Sequence, residues 1–313
     1  ESYIRQQRWN DALASVNELA DQELQLARAI YLRGRVRYAQ KEYSDAIDAF
    51  EEVLQIEPNA IEALSYLVKT MLVAGEVTAA EEYLSAHIKA YPQQEHSLEL
   101  QGAVYLASGD PDAAIESYRA ALAINPQRLS AQINLGKALQ TNGDLVGALK
   151  AYEDGLQLSP KNVDLLNLTA GLLGAMKRYQ DAADMYNAVL TIDDDQAVAS
   201  NNLAMLLIDH LPSDTSYSRA LQLTTDFEDT NVATLLDTRG WVYYQMEDYA
   251  SAKRLLIRAV AADDTESVFR FHLGMTYYKL GDKKSAKIEL EKSLANEQTF
   301  TGSDEASKLL EEL

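Results

Sequence analysis

Pro58, Pro92, Pro126 and Pro160 stand at equal intervals along the sequence. Few features restrict a chain more. A fixed period of about 34 residues means one small supersecondary unit repeated, each copy burying its apolar faces against its neighbours only. The stretch LARAIYLRGRVRYAQKEYSDAIDAFEEVLQIEPN, Leu26 to Asn59, matches the downstream chain at the same period. Repeats so defined start at Ala27, Ile61, Glu95, Leu129, Val163, Ala197, Ala233 and Ser267. Counting back one period puts Trp9 and Ala12 in register with Tyr43 and Ala46, so the chain opens inside a further copy.

Each copy carries two stretches of apolar 3-and-4 spacing, which predicts two amphipathic helices. The eighth place of the first helix holds Gly34, Val68, Gly102, Gly136, Ala170, Ala204, Gly240 and Gly274. A small side chain there lets a second helix approach closely. The second helix answers with Ala46, Ala80, Ala114, Ala148, Ala182, Ala220, Ala252 and Ala286. Four residues later come Phe50, Leu84, Tyr118, Tyr152, Tyr186, Leu256 and Leu290, expected to fill the gap to the neighbouring hairpin, with Thr224 as the exception. Gly75, Gly109, Gly143 and Gly281 fall where the backbone reverses.

These spacings resemble the tetratricopeptide repeat family. The resemblance implies an all-α, right-handed superhelix of antiparallel hairpins: eight full repeats, a partial N-terminal repeat and a C-terminal capping helix. The expected boundaries are 1–26 for the partial repeat, then 27–60, 61–94, 95–128, 129–162, 163–196, 197–232 with a loop insertion, 233–266 and 267–298, with the cap at 299–313. Arg33, Gln101 and Arg239 depart from the family's usual leucine, and Val68 with His87 marks the second repeat as the least regular in packing.

Composition limits the partners. Forty-eight acids against 28 bases give a net charge of −20, which repels nucleic-acid phosphates and anionic lipid alike. A basic partner suits that charge. No apolar run approaches the roughly 18 residues of a membrane span, so no direct membrane insertion is expected. With no cysteine, disulfides and thiolate chemistry are excluded. Because ESYIRQQRWNDAL begins inside a helical pattern, more chain is expected before residue 1, and a signal peptide or lipid anchor would lie there.

Catalytic motifs are missing: the sequence holds no Walker-type loop, no G-x-S-x-G and no H-E-x-x-H. His87, His96, His210 and His272 lack the i, i+4 pairing that brings two imidazoles to one metal. Asp193, Asp194 and Asp195 precede a helix start, where carboxylates offset the dipole, and lack the glycine and distal glutamate of a calcium loop. No enzyme activity, metal or cofactor is expected.

Function must then reside on a surface. The resemblance implies that first helices line a concave groove, with their second, fifth, sixth, ninth, twelfth and thirteenth places meeting ligand. Three zones follow. Arg28, Tyr31, Arg35 and Tyr38, with Lys69 beside them, form a basic and aromatic entrance for an acidic peptide or a carbohydrate, unless the arginines merely pair with acids such as Glu62. Asn134, Asn167, Asn201 and Asn202 offer amides to an extended backbone, or serve helix packing. Trp241, Tyr244, Phe271, Met275 and Tyr278 make an apolar zone, either an exposed binding patch or inter-repeat core. The lysine and asparagine pattern of chaperone-binding members is absent from any three successive repeats.

The expected function is a non-catalytic protein–protein interaction scaffold that holds a peptide or partner protein in its groove. LDTRGWVYYQMEDYASAKRLLIRAV after NNLAMLLIDHLP resembles C-terminal repeats of bacterial cell-envelope members, including lipoproteins tied to exopolysaccharide export and protein sorting. That implies a periplasmic or envelope-associated location and polysaccharide-export machinery as a partner, with a cytoplasmic location as the alternative. Two other readings stay open: the regulatory arm of a longer enzyme, and a carbohydrate-handling periplasmic adaptor.

One repeat breaks the period. Gly34 to Ala46 sets the usual step between the two small positions of a hairpin, and Ala204 to Ala220 is four positions longer. The next start at Ala233 nevertheless leaves the whole repeat only two positions over length. Pro212, Ser213, Asp214, Thr215 and Ser216 predict a widened loop between intact helices, and a shortened second helix or following turn. Eight acids and a single base, Arg219, lie between Asp193 and Val232.

Overall fold

The computed structural model describes residues 2–20, 26–295 and 299–313. Among the described residues the chain is all-helical, with nineteen α-helices, one short 3-10 helix and no strand. The expected edges of the partial repeat and of the cap, near 21–25 and 296–298, lie outside them. The chain divides into two compact halves, Glu1–Pro160 and Lys161–Leu313.

In the N-terminal half, α1 (Ser2–Arg5) and α2 (Trp9–Ala20) precede four hairpins. These are α3 (Leu26–Ala39) with α4 (Tyr43–Ile56), α5 (Ile61–Ala74) with α6 (Val77–Ala90), α7 (Glu95–Ser108) with α8 (Pro111–Ile124), and α9 (Leu129–Thr141) with α10 (Leu145–Leu158). In the C-terminal half α11 (Val163–Ala175) pairs with α12 (Tyr179–Ile192), and α13 (Ala197–Asp209) with α14 (Asp214–Leu223), which a 3-10 turn at Thr225–Asp229 follows. Then come α15 (Ala233–Gln245) with α16 (Tyr249–Ala262), α17 (Ser267–Lys279) with α18 (Lys283–Ser293), and a final α19 (Ser303–Glu312).

The eighth-place glycine admits a large side chain from the second helix of its own hairpin. A Cβ on Gly34 would stand 2.7 Å from the Phe50 ring, one on Gly102 2.7 Å from Tyr118, and one on Gly274 2.8 Å from Leu290 Cγ. Gly136 meets Tyr152 closer still. The large residue therefore lies over the glycine of its own hairpin and also reaches the next one, as Phe50 does where it meets Tyr66 of α5 at 5.5 Å. Phe50, Tyr118 and Tyr152 are fully buried there, each worth about 1.5–3 kcal/mol of apolar transfer. Val68 occupies this place in α5, and α5 and α6 pack less closely than the helices of the other hairpins, in keeping with its bulk.

Turns after the first helices use the left-handed region. Gly75, Gly109, Gly143 and Gly281 have φ near +80°. The same place holds Lys41, Lys177 and Glu247 at φ of 64°, 60° and 63°, where a Cβ is strained.

In the sixth repeat the added residues enter a helix more than a loop. Four residues, 210–213, separate α13 from α14, against three, 176–178, between α11 and α12. Ser213 caps α14 through a hydrogen bond from Ser216 N at 3.1 Å, so the helix begins well ahead of its alanine, Ala220. It then stops at Leu223 after 10 residues, where α12 has 14. The second helix is thus lengthened at its start, where a widened loop was expected, and cut short at its end, as the repeat length predicts.

That early stop would strand carbonyls. Buried Arg239, from α15, supplies the donors: its guanidinium reaches Leu221 O, Thr224 Oγ1 at 3.1 Å, Tyr243 Oη at 3.0 Å and Glu228 Oε1 at 3.2 Å. Arg254 binds Glu228 Oε2 at 2.8 Å, and Arg258 donates to Glu228 O at 2.6 Å and Thr230 O at 2.7 Å. Phe227 fills the space beneath the 3-10 turn. Arginine where the family usually has leucine is the compensation for a missing helical turn.

Candidate functional site

The basic entrance lies in the N-terminal half on α3 and α5. Tyr31 and Tyr38 each meet Tyr66 edge-on, with centroids 5.8 and 6.0 Å apart. Arg35 sits 5.2 Å over the Tyr66 ring and Lys69 5.1 Å over Tyr38, so both cations rest on tyrosine faces. Arg28 is exposed and lines a cavity of about 300 Å³ with Tyr31, Glu57 and Glu62. Arg33 pairs with Glu52 at 2.6 Å, and Arg37 with Glu42.

The amides have separate surroundings. In the N-terminal half Asn134 donates to buried Glu99 Oε1 at 3.2 Å, and Glu99 also binds Arg128 and accepts from Ser130 at 3.1 Å. His96 joins this network through Arg128, whose Nη2 lies 2.7 Å from its Nδ1, and its Nε2 lies 2.7 Å from Ser65 Oγ; burial followed by the Arg128 charge lowers its pKa. Asn134 is therefore engaged by its own chain. In the C-terminal half Asn201 Nδ2 donates to Asn202 Oδ1 at 3.3 Å. The buried carbonyl oxygens of Asn167 and Asn201 have no hydrogen-bond partner.

The apolar zone is closed. Trp241, Tyr244, Phe271 and Met275 are 8, 9, 3 and 6 % exposed, and Tyr278 is half-buried. Of the two readings of this zone, the burial fits inter-repeat core and not an exposed patch. The rings cover one another: Trp241 stacks on Tyr244 at 4.3 Å and on His272 at 3.9 Å, and Phe271 meets Phe300 at 5.7 Å. Gly302 passes so close to Phe271 that an added Cβ would stand 2.5 Å from its ring, and Ala306 and Leu309 of α19 complete the cluster. Burial pushes the Tyr244 hydroxyl up to about 12.

Polar groups thread this core. His272 Nδ1 lies 2.9 Å from Asp237 Oδ1, both buried. Trp241 Nε1 donates to Asp209 Oδ1 at 3.1 Å. Asp209 ends α13 and is exposed as a residue, yet its carboxyl meets the almost fully covered indole. Desolvation, with the Asp237 charge, holds it above the usual carboxylate range, opposed by the Trp241 hydrogen bond and the His272 and His210 imidazoles.

Asp209 also lines a cavity of about 200 Å³ bounded by α11, α12 and α13. Its walls include Gly171, Gly174, Tyr186, Asn202, Met205 and His210. His210 is fixed by stacking on Tyr179, with centroids 4.0 Å apart and planes 4° from parallel. An added Cβ at Gly171 or Gly174 meets nothing within 4 Å. Of the candidates named from sequence, only Asn202 lines this cavity. Sequence reasoning passed over Asp209, His210 as a wall, and the two glycines. The signal available was Gly171-x-x-Gly174 inside a helix, at the ninth and twelfth places of its repeat.

Family models described as tetratricopeptide repeat match residues 37–104 and residues 1–61, 99–163, 133–197 and 238–297. No curated protein matches the sequence. Among solved structures, Pseudomonas aeruginosa pilF is similar at 18% identity and a TM-score of 0.55, over 70% of this chain and 97% of that one. The C-terminal part of a TPR repeat-containing protein from Cytophaga hutchinsonii is similar at 14% identity and a TM-score of 0.56, over 78% and 99%. A chain of the APC/C hetero-tetramer Cut9-Hcn1 is similar at 14% identity and a TM-score of 0.57, over 96% of this chain, which spans 58% of that chain's length. These likenesses carry the fold. With its helical hairpins, glycine-seated rings and matched repeats, the chain belongs to the tetratricopeptide repeat family.

Proposed function

We propose that this chain is a non-catalytic scaffold that holds an extended segment of a partner protein against the first helices of its C-terminal half. Tetratricopeptide folds are protein–protein interaction scaffolds in general, and the finer reading adds where the segment is seated. The observation that carries it is the cavity between α11, α12 and α13, with the Asn202 amide on its wall and glycines that leave the α11 backbone open. Asn202, on the cavity wall, carries an amide that can both donate to and accept from the backbone of an extended chain. The entrance on α3 and α5 is a second surface, suited to acidic side chains. An adaptor that stacks sugars is disfavoured, because Trp241 and Tyr244 are buried. The envelope location, with export machinery as its setting, rests on the sequence resemblance of the sixth and seventh repeats.

Selection of displayed peptides on the protein, with benzoylphenylalanine placed at Asn202 or at exposed Gln180 of α12, tests this reading. Selected peptides are expected to crosslink from position 202 and not from 180. Equal crosslinking from both positions, or no peptide binding at micromolar concentration, rejects it.

A further inference from the structure

Glycine in a helix interior costs about 1 kcal/mol relative to alanine. Gly34, Gly102, Gly136, Gly240 and Gly274 each offset that cost by admitting a ring or leucine from the paired helix. Gly171 and Gly174 admit nothing of this chain, although both lie within α11. Open backbone on one wall of a cavity is useful to a group from outside.

Chemistry around the opening selects that group. Among the described residues lining the cavity there is no lysine or arginine, and its one carboxylate is Asp209. Trp241 occupies Asp209 Oδ1. A carboxylate held in partly desolvated surroundings with only imidazoles and an indole N–H to offset its charge is costly unless a full counter-ion arrives, and the upward displacement of its pKa is the sign of that cost. His210, locked flat on Tyr179, offers an aromatic edge beside it. At about 200 Å³ the space is below the roughly 300–1,000 Å³ of small-molecule pockets. One long side chain suits it.

We propose that this cavity is a specificity pocket for a single basic side chain, arginine or lysine, of the bound partner segment, with Asp209 as its counter-ion and the Gly171–Gly174 face giving room for the partner backbone. The pocket rests on the reading of the C-terminal half as a seat for a partner segment and names what that segment must carry. It also gives the acidic sixth repeat a use: Glu228, another of its acids, is consumed by Arg239 and Arg254, whereas Asp209 keeps no lysine or arginine partner among the described residues.

The test uses Trp241 as reporter, since its indole touches Asp209. In a Trp9→Phe background it is the single tryptophan. Blocked arginine amide and blocked lysine amide, titrated to tens of millimolar, are expected to change its emission saturably. Blocked norleucine amide, of similar length without charge, is expected to leave it unchanged. Asp209→Asn keeps an acceptor for the indole and is expected to weaken arginine binding at least tenfold. Gly171→Met, which fills the cavity and favours the helix, is expected to abolish it. Equal binding of norleucine, undiminished binding by Asp209→Asn, or no saturable response to either cation overturns the pocket. Peptides selected on the wild-type protein separate this outcome from failure of the scaffold reading: if they bind Asp209→Asn and Gly171→Met unchanged, the seat stands and the basic pocket falls.

Discussion

Trp241 donates its indole N–H to Asp209 Oδ1 at 3.1 Å, although the two residues are 32 apart in sequence. The bond joins α15 to the end of α13. It places the largest aromatic side chain of the C-terminal half inside a stack with Tyr244 and His272, where the repeat register alone would place it in an open groove.

Trp241→Ala should therefore act on stability first. Removing a buried tryptophan costs about 3–5 kcal/mol, which urea unfolding followed by circular dichroism would register. Tyr278→Ala, at a half-buried position, should cost clearly less. Near-identical melting of Trp241→Ala and wild type would mean that the indole is not core.

Asp209→Asn should stabilise the protein at neutral pH. The folded carboxyl titrates above its ordinary 3.8, so its favourable contribution is complete below that value and is lost as pH rises through the folded pKa. The amide avoids the loss and still accepts from Trp241. Denaturation midpoints of the two proteins should differ at pH 7 and converge below about pH 4.

Glu228 has the opposite sign. Hydrogen bonds from Tyr243 and Arg254, with Arg239, hold its carboxyl down at about 2, from an ordinary 4.5. Its contribution is complete above 4.5 and is lost as pH falls towards 2. Acid titration should show wild type losing stability across that window, while Glu228→Gln begins weaker and changes less there. Parallel acid profiles would remove Glu228 as a keystone of the 3-10 turn.

Gly136→Ala drives a methyl group into the Tyr152 ring. Overpacking of this kind costs about 1–3 kcal/mol. Tyr152→Leu in the same chain should recover part of the loss, because Leu256 and Leu290 fill that place over Gly240 and Gly274. A double-mutant cycle reads the coupling; strict additivity would show that the pair does not touch.

Lys177→Gly relieves a left-handed turn at φ 60°. A gain of about 1 kcal/mol is expected from removing the Cβ penalty, measured as a rise in the urea midpoint. Gly143→Ala, at φ 82°, should lose a comparable amount. If both substitutions are neutral, the turns relax freely.

Much of the architecture is local and so can be read along the chain. The proline spacing, the eighth-place glycines and the second-helix alanines repeat because each hairpin solves the same packing problem. The register assigns groove-facing places to the first helices, α9 and α13 among them, but a face is not a site. Asn134 fell on such a face and is taken up by Glu99, while Asn201 falls on one and keeps an unpartnered oxygen.

The repeat period by itself determined a stack of helical hairpins, because its apolar spacing fixes which side of each helix must be buried. Tertiary structure alone decided three things: that Arg239 replaces a lost turn of α14, that Phe300 and Gly302 close over Phe271, and that Asp209 faces a cavity floored by glycine. Each depends on contacts outside the repeating register, where the sequence has no periodicity to betray them.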